Sequence, residues 1–303
     1  MAEKLERDSG VTSGKLTAAE RYFTAGKSML NPPIHRAAYS DRMAWIMASM
    51  AELAYLNFEN DPDERKLFIA SLKSGGFDLV RTFNSKETDT QAFIANCPEF
   101  AVLAFRGTEV NKIRDVKTDI AAAKISVLQG HVHNGFMKAY ESVAEDIKKD
   151  LLELKDVPLY VTGHSLGAAL ATVATQNLEH DHRYPRFRDM IAACYTFGSP
   201  RVGNSHYAQE FKSPIYRVVN TTDVVTTVPL LAMGYMHIGD VRYLGSGEGE
   251  FQRGIPFMRR LLLFVVSMFK LFSPIVLDHG IARYRSKLEK IAEKRNDSRY
   301  RGG

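Results

Sequence analysis

The chain has 303 residues, of which 45% are hydrophobic and 25% charged, and its formal net charge is +5. That balance excludes a disordered or collagen-like chain and fits one large α/β domain or two average ones. No internal repeat or low-complexity tract occurs, and the absence of zinc-finger spacing or an RNP-like aromatic pattern sets nucleic acid aside as a partner.

In chain order, the start "MAEKLERDSGVTSGK" is polar and lacks the apolar stretch of a secretory signal. It predicts a cytoplasmic protein in which Cys97 and Cys194 are free thiols. Residues 1–39 read as a partly flexible N-terminal arm, interrupted by Pro32 and Pro33. Gly26-Lys27-Ser28 ends like a phosphate-binding loop, but Arg21 stands where its leading glycine belongs. Ser40 or Asp41 then caps a helix whose apolar residues Met43, Ile46, Met47, Met50, Leu53 and Ala54 recur at helical spacing. Strand-like runs follow at 77–83, 90–97 and 99–107, then a polar loop or short helix at 109–124. Residues 134–155 form an amphipathic helix with Phe136, Tyr140, Val143, Ile147, Leu151 and Leu154 on one face.

Beyond it, strand and helix alternate: a strand ending at His164, a helix from 166, a strand at 190–198, a short helix near 205–212 and a strand at 214–220. Apolar runs without period-2 alternation, separated by helices, predict a parallel sheet buried on both faces. The expected organisation is one α/β domain over 40–295 and a basic C-terminal tail at 296–303. From Ile281 onward there are eight Lys/Arg against three Asp/Glu. Such a surplus is ordinarily a solvated face, and peripheral contact with an anionic membrane surface is its sharper reading.

Gly163-His164-Ser165-Leu166-Gly167 is a G-x-S-x-G pattern that leaves a strand and opens a helix, the setting of a nucleophile elbow. A tight strand-to-helix turn strains the serine backbone and admits only small residues two positions either side. The serine hydroxyl needs a base oriented by an acid, in the chain order Ser, Asp/Glu, His. Of Asp181, Asp189, Asp223, Asp240 and Asp278, only Asp223 directly follows a strand, where α/β sheets gather their reactive groups. Of the two later histidines, His237 sits in a strand-like run and His279 in a loop before the last helix, so His279 is the expected base. The oxyanion donors are expected from the Leu166 N–H and from Thr108, after "AVLAF". His131, His133, His180 and His182 form two His-x-His pairs without a third ligand at a recognisable spacing, so no metal or organic cofactor is expected.

With those residues assembled, the chain resembles the class 3 (fungal-type) lipases. The resemblance rests on "LAFRGT" (103–108), "VHNGFMKAYES" (132–142), "VTGHSLGAAL" (161–170), "TFGSPRVGN" (196–204), "NTTDVVTTVP" (220–229) and "DHGIARY" (278–284), in family order. It implies an α/β-hydrolase fold, a mostly parallel central sheet with helices on both faces, and hydrolysis of lipid esters. It also implies Ser165, Asp223 and His279 as triad, Thr108 and Leu166 at the oxyanion hole, and a lid at 109–120. A phospholipase, a short-chain esterase and a non-catalytic lipid- or partner-binding module on the same fold are the alternatives. The run "RRLLLFVVSMFKLF" (259–272) is too short to span a bilayer and reads as an acyl-binding wall with a membrane-facing rim.

Overall fold

The computed structural model describes residues 17–24, 27–30, 32–34, 38–108, 124–127, 130–220, 223, 225–227, 229, 233–245, 250–252 and 279–300. The expected lid at 109–120 and the apolar run at 259–272 lie outside them.

Helix α1 (Asp41–Leu53) starts where Ser40 Oγ accepts the Met43 N–H. Helix α2 (Pro62–Ser74) starts where Asp61 Oδ1 accepts from the Asp63 and Glu64 N–H groups and Pro62 occupies the first turn. Strands β1 (Asp78–Ser85), β2 (Thr90–Asn96) and β3 (Ala101–Phe105) follow as an antiparallel meander. Strands β4 (Lys124–Val127) and β5 (Gly130–His133) pair as a separate hairpin ahead of α3 (Asn134–Glu153). Then come β6 (Leu159–His164), α4 (Leu166–Glu179), α5 (Arg186–Met190), β7 (Ile191–Phe197), α6 (Ser205–Gln209) and β8 (Ile215–Asn220). Strands β9 (Asp240–Leu244) and β10 (Phe251–Gln252) and helix α7 (Ile281–Tyr300) close the chain.

The main sheet runs β1-β2-β3-β6-β7-β8-β9-β10. Its centre, from β3 to β9, is parallel, and its two edges are antiparallel. Central strands are buried on both faces, so successive residues feed two different cores. Val102, Ala104, Tyr160, Tyr195 and Val218 point to one, built with α1, α2 and α7. Leu103, Phe105, Val161, Cys194 and Ile215 point to the other, built with α3 and α4. Trp45 of α1 is wholly buried in the first core, and truncating a ring of that kind costs about 3–5 kcal/mol.

Three features depart from the plain reading of the sequence. Tyr22, Phe23 and Met29, inside the expected N-terminal arm, are buried in the first core, and the Phe23 ring meets Trp45 edge-on at 6.1 Å. The C-terminal segment is one helix to Tyr300 packed along α1, with Arg295 paired to Asp41 at 2.6 Å. His237 precedes β9 instead of lying in it, because Gly239 takes a positive φ of 94° and breaks the run. Cys97 and Cys194 are free, and burial pushes their thiols up to about 11 and about 12.

Candidate functional site

Ser165 sits between the end of β6 and the start of α4 with φ 57° and ψ −124°. For a residue with a Cβ this is a strained conformation, costing of order 1–3 kcal/mol. Glycines make the turn passable. A Cβ on Gly163 would lie 2.2 Å from the Gly167 carbonyl oxygen, and one on Gly167 would lie 2.4 Å from that of Phe105. The Ser165 side chain does not cap α4. Leu166 is the first helical residue, so its N–H has no intrahelical acceptor, and the helix dipole adds partial positive charge there.

Asp223 follows β8 and His279 precedes α7, and the fold brings them into contact. His279 Nδ1 donates to Asp223 Oδ2 at 2.8 Å, with both side chains almost wholly buried. Two further donors hold the carboxylate: the Tyr284 hydroxyl reaches Oδ2 at 2.6 Å and the Val225 N–H reaches Oδ1 at 2.9 Å. The opposite ring nitrogen, His279 Nε2, is buried and makes no hydrogen bond among the described residues. Tyr284 stays a neutral donor because burial, reinforced by the Asp223 charge, holds its phenol well above the ordinary value.

His164, the residue before the serine, anchors this arrangement from below. Its Nε2 lies 2.5 Å from the His279 carbonyl oxygen and its Nδ1 lies 2.7 Å from the Tyr55 hydroxyl. A carbonyl can only accept, so Nε2 carries the proton and Nδ1 accepts from Tyr55. Burial, and secondarily the neighbouring His279, holds His164 well below the usual imidazole value, so the ring is neutral. Tyr55, His164 as an anchor, and Tyr284 are absent from the sequence reading. Tyr284 stands inside the "DHGIARY" block, but only the folded helix turns its hydroxyl toward the acid.

The other candidates are placed elsewhere. Asp181 pairs with Lys148, Asp189 with Arg188 and Asp240 with Arg242, while Asp278 lies outside the described residues. His237 is half-buried, and burial, aided by Arg217 and Arg201, pushes it down to about 2. Among the described residues no group of three or more His, Cys, Asp or Glu side chains is placed to hold a metal. Thr108 is half-buried at the end of the β3 loop. With Leu166 it lines a cleft of about 430 Å³.

Against known families, the sequence model described as Lipase (class 3) matches residues 102–233. That stretch of the chain is similar to the class 3 lipases. A lipase from Rhizopus niveus is 32% identical over 186 residues, covering 57% of this chain and 46% of that protein. The secreted mono- and diacylglycerol lipase A of Penicillium cyclopium is 33% identical over 172 residues, covering 54% of each. The chain thus spans about half the length of the curated relatives it matches. The crystal structure of the lipase from Rhizopus microsporus var. chinensis superposes with a TM-score of 0.57 at 28% identity, over 68% of this chain and 76% of that one. The α/β-hydrolase fold is therefore as the sequence predicts.

The cytoplasmic location does not stand, because curated relatives, the Penicillium enzyme among them, are secreted. A polar opening stretch is weak evidence of compartment beside that relationship. Among the described residues no helix is long and apolar enough to cross a membrane.

Proposed function

We propose that this protein is a class 3 lipase, a serine-dependent carboxylic ester hydrolase that cleaves lipid esters through an acyl-enzyme. The observation that carries the proposal is the buried Asp223–His279 hydrogen bond, which leaves His279 Nε2 buried and without a hydrogen-bond partner among the described residues. His279 Nε2 takes the proton from Ser165 Oγ as that oxygen attacks the ester carbonyl. Asp223 holds the imidazole in the tautomer that frees Nε2 and stabilises the imidazolium that forms. The Leu166 N–H and Thr108 hold the negative oxygen of the tetrahedral intermediate. His279 gives its proton to the departing alcohol, then activates water to release the acid. Written this way, the reaction draws on no metal or organic cofactor.

The hydrolase domain is proposed to extend over 40–295, with Tyr22 and Phe23 of the preceding arm packed onto it and 296–303 as its C-terminal tail. Its relatives support an extracellular setting. Peripheral contact with an anionic membrane rests on the net charge of +5 alone, because the basic residues of α7 are largely engaged. Arg285 pairs with Glu52, Lys287 with Asn220 and the Gly245 carbonyl, Lys294 with Glu250 and Arg295 with Asp41. No nucleic acid enters the proposal.

The test is hydrolysis of p-nitrophenyl esters from acetyl to palmitoyl by the wild type and by Ser165→Ala. Activity that rises toward medium and long chains and vanishes in the variant supports a lipase. Activity confined to acetyl and butyryl esters makes it a short-chain esterase. Release of fatty acid from a phospholipid in preference to glycerides makes it a phospholipase. Absence of Ser165-dependent hydrolysis from a folded protein leaves a binding module.

A further inference from the structure

A polar cluster lies on the sheet face that elsewhere builds the second apolar core. Thr196 of β7 and Arg217 of β8 are register partners on neighbouring parallel strands, so their side chains leave the same sheet face. It is the face opposite Tyr195, Phe197, Tyr216 and Val218, which belong to the first core. Arg217 is 7% exposed and Thr196 is almost wholly buried. Arg201, from the segment after β7, and His237, from the segment before β9, lie within electrostatic reach. Both guanidiniums oppose a proton on His237, and Arg201 opposes the charge of Arg217. Three buried atoms of the cluster, Thr196 Oγ1, Arg217 Nε and His237 Nδ1, make no hydrogen bond among the described residues.

Arg217 is the costly member. Its side chain bonds the Tyr243 hydroxyl, and no Asp or Glu among the described residues offsets its charge. Arg285, by contrast, pairs with Glu52 at 2.5 Å. A buried charge left uncompensated is strongly destabilising. The Arg217 Nε–H and the Thr196 O–H are both donors, so an acceptor completes them, and the unbalanced charge makes that acceptor an anion. One guanidinium calls for one negative charge. A divalent ion would leave a unit uncompensated and has more hydration to lose. Single donors from two strands, instead of one guanidinium fork, suit a spherical acceptor better than a carboxylate. The His237 ring meets an anion only as a donor, because a neutral Nδ1 offers a lone pair. Burial chiefly, and then Arg217 and Arg201, oppose its proton, and a neighbouring negative charge cancels the second part of that opposition.

We propose that Arg217, Thr196, Arg201 and His237 enclose a binding site for a small monovalent anion of the chloride class, beneath the segment that carries Asp223. The same groups grip that segment. Arg201 Nη1 donates to the Pro229 carbonyl at 2.6 Å, the His237 ring bonds the Thr226 backbone, and Thr226 Oγ1 donates to the Asp223 carbonyl at 2.9 Å. An anion there fastens the acid's segment to the sheet. The test melts the full chain while chloride replaces gluconate, an anion too bulky to be enclosed, at constant ionic strength. The melting temperature should rise along a saturation curve, by about 4 °C at ten times the dissociation constant. With bromide in place of chloride, crystals should show an anomalous-scattering peak between Arg217 Nε and Thr196 Oγ1. Thr196→Val removes one donor and should weaken the chloride midpoint by about tenfold. Arg217→Met should abolish the dependence and melt higher than the wild type in gluconate, since it removes the uncompensated charge. If that variant does not fold, Thr196→Val and the bromide peak still decide. A melting temperature indifferent to chloride overturns the site, as does an equal rise with sulfate, which is a general salt effect. So does a chloride dependence that survives in Arg217→Met, or a water in place of the bromide peak.

Discussion

Tyr55 and His164 set a condition on the proposed chemistry that the three proposed catalytic residues alone do not. Two imidazoles, His164 and His279, lie with ring centres 4.5 Å apart, and only one of them has to take up the serine proton. The Tyr55 hydroxyl decides between them by donating to His164 Nδ1 at 2.7 Å, since a hydrogen bond to the neutral form disfavours the charged one. The same ring bonds the His279 backbone through Nε2, so a fixed His164 also fixes the base. Tyr55→Phe is therefore expected to lower kcat by roughly tenfold with little change in KM, the pattern of a displaced base. It should also weaken the downfield proton resonance of the His279–Asp223 hydrogen bond. A merely structural Tyr55 would lower the melting temperature and leave both readouts where they are. Chain order and strand ends made Ser165, Asp223 and His279 legible as candidates, because each stands at a point where the chain leaves or enters a regular element. Tyr55, which precedes Ser165 by more than a hundred positions, carries no such local mark and joins the site only through tertiary packing.

The strand–turn–helix unit around Ser165 is the element on which the site depends most. Its backbone groups approach so closely that a Cβ on Gly163 has no room, with the Gly167 carbonyl 2.2 Å away and rigidly part of α4. Gly163→Ala can be accommodated only if β6 and α4 separate, which disturbs the packed core around Val161, Ala169 and Leu170. A loss of roughly 3 kcal/mol or more is expected, read as a drop in urea midpoint together with loss of phosphonate labelling at Ser165. A variant that keeps wild-type stability would show that the elbow has slack. The same packing explains which elements the sequence discloses. The central strands are continuous apolar runs bounded by turns, and their observed limits fall within a few residues of the expected ones. Helix α2 escaped notice although Asp61 and Pro62 mark its start, because its charged opening "PDERK" hides an apolar face that contributes only Phe68 and Leu72 to the core. The β4–β5 hairpin has four residues per strand, too few to show an alternation.

At the scale of the whole molecule, neutral buried histidines make stability depend on acidity. His164 is held well below the ordinary imidazole value by burial, and His237 is pushed down to about 2 by burial together with the nearby Arg217 and Arg201. In the unfolded chain both rings bind a proton near pH 6.5. Below that pH the unfolded state holds more protons than the folded one, so stability falls as pH falls and is fully present above it. Each ring contributes at most about 1.4 kcal/mol per pH unit, or roughly 2 kcal/mol between pH 6.5 and pH 5. Urea unfolding at pH 8, 7, 6 and 5 should show a plateau down to about pH 6.5 and a declining midpoint beneath it. His237→Gln removes one titrating ring without touching Ser165, Asp223 or His279, and should reduce the acid slope by about half. A flat profile from pH 7 to pH 5 would mean that these rings carry charge in the folded protein. For His164 that would undo the argument that its Nδ1 accepts from Tyr55, and with it the reason the serine proton goes to His279.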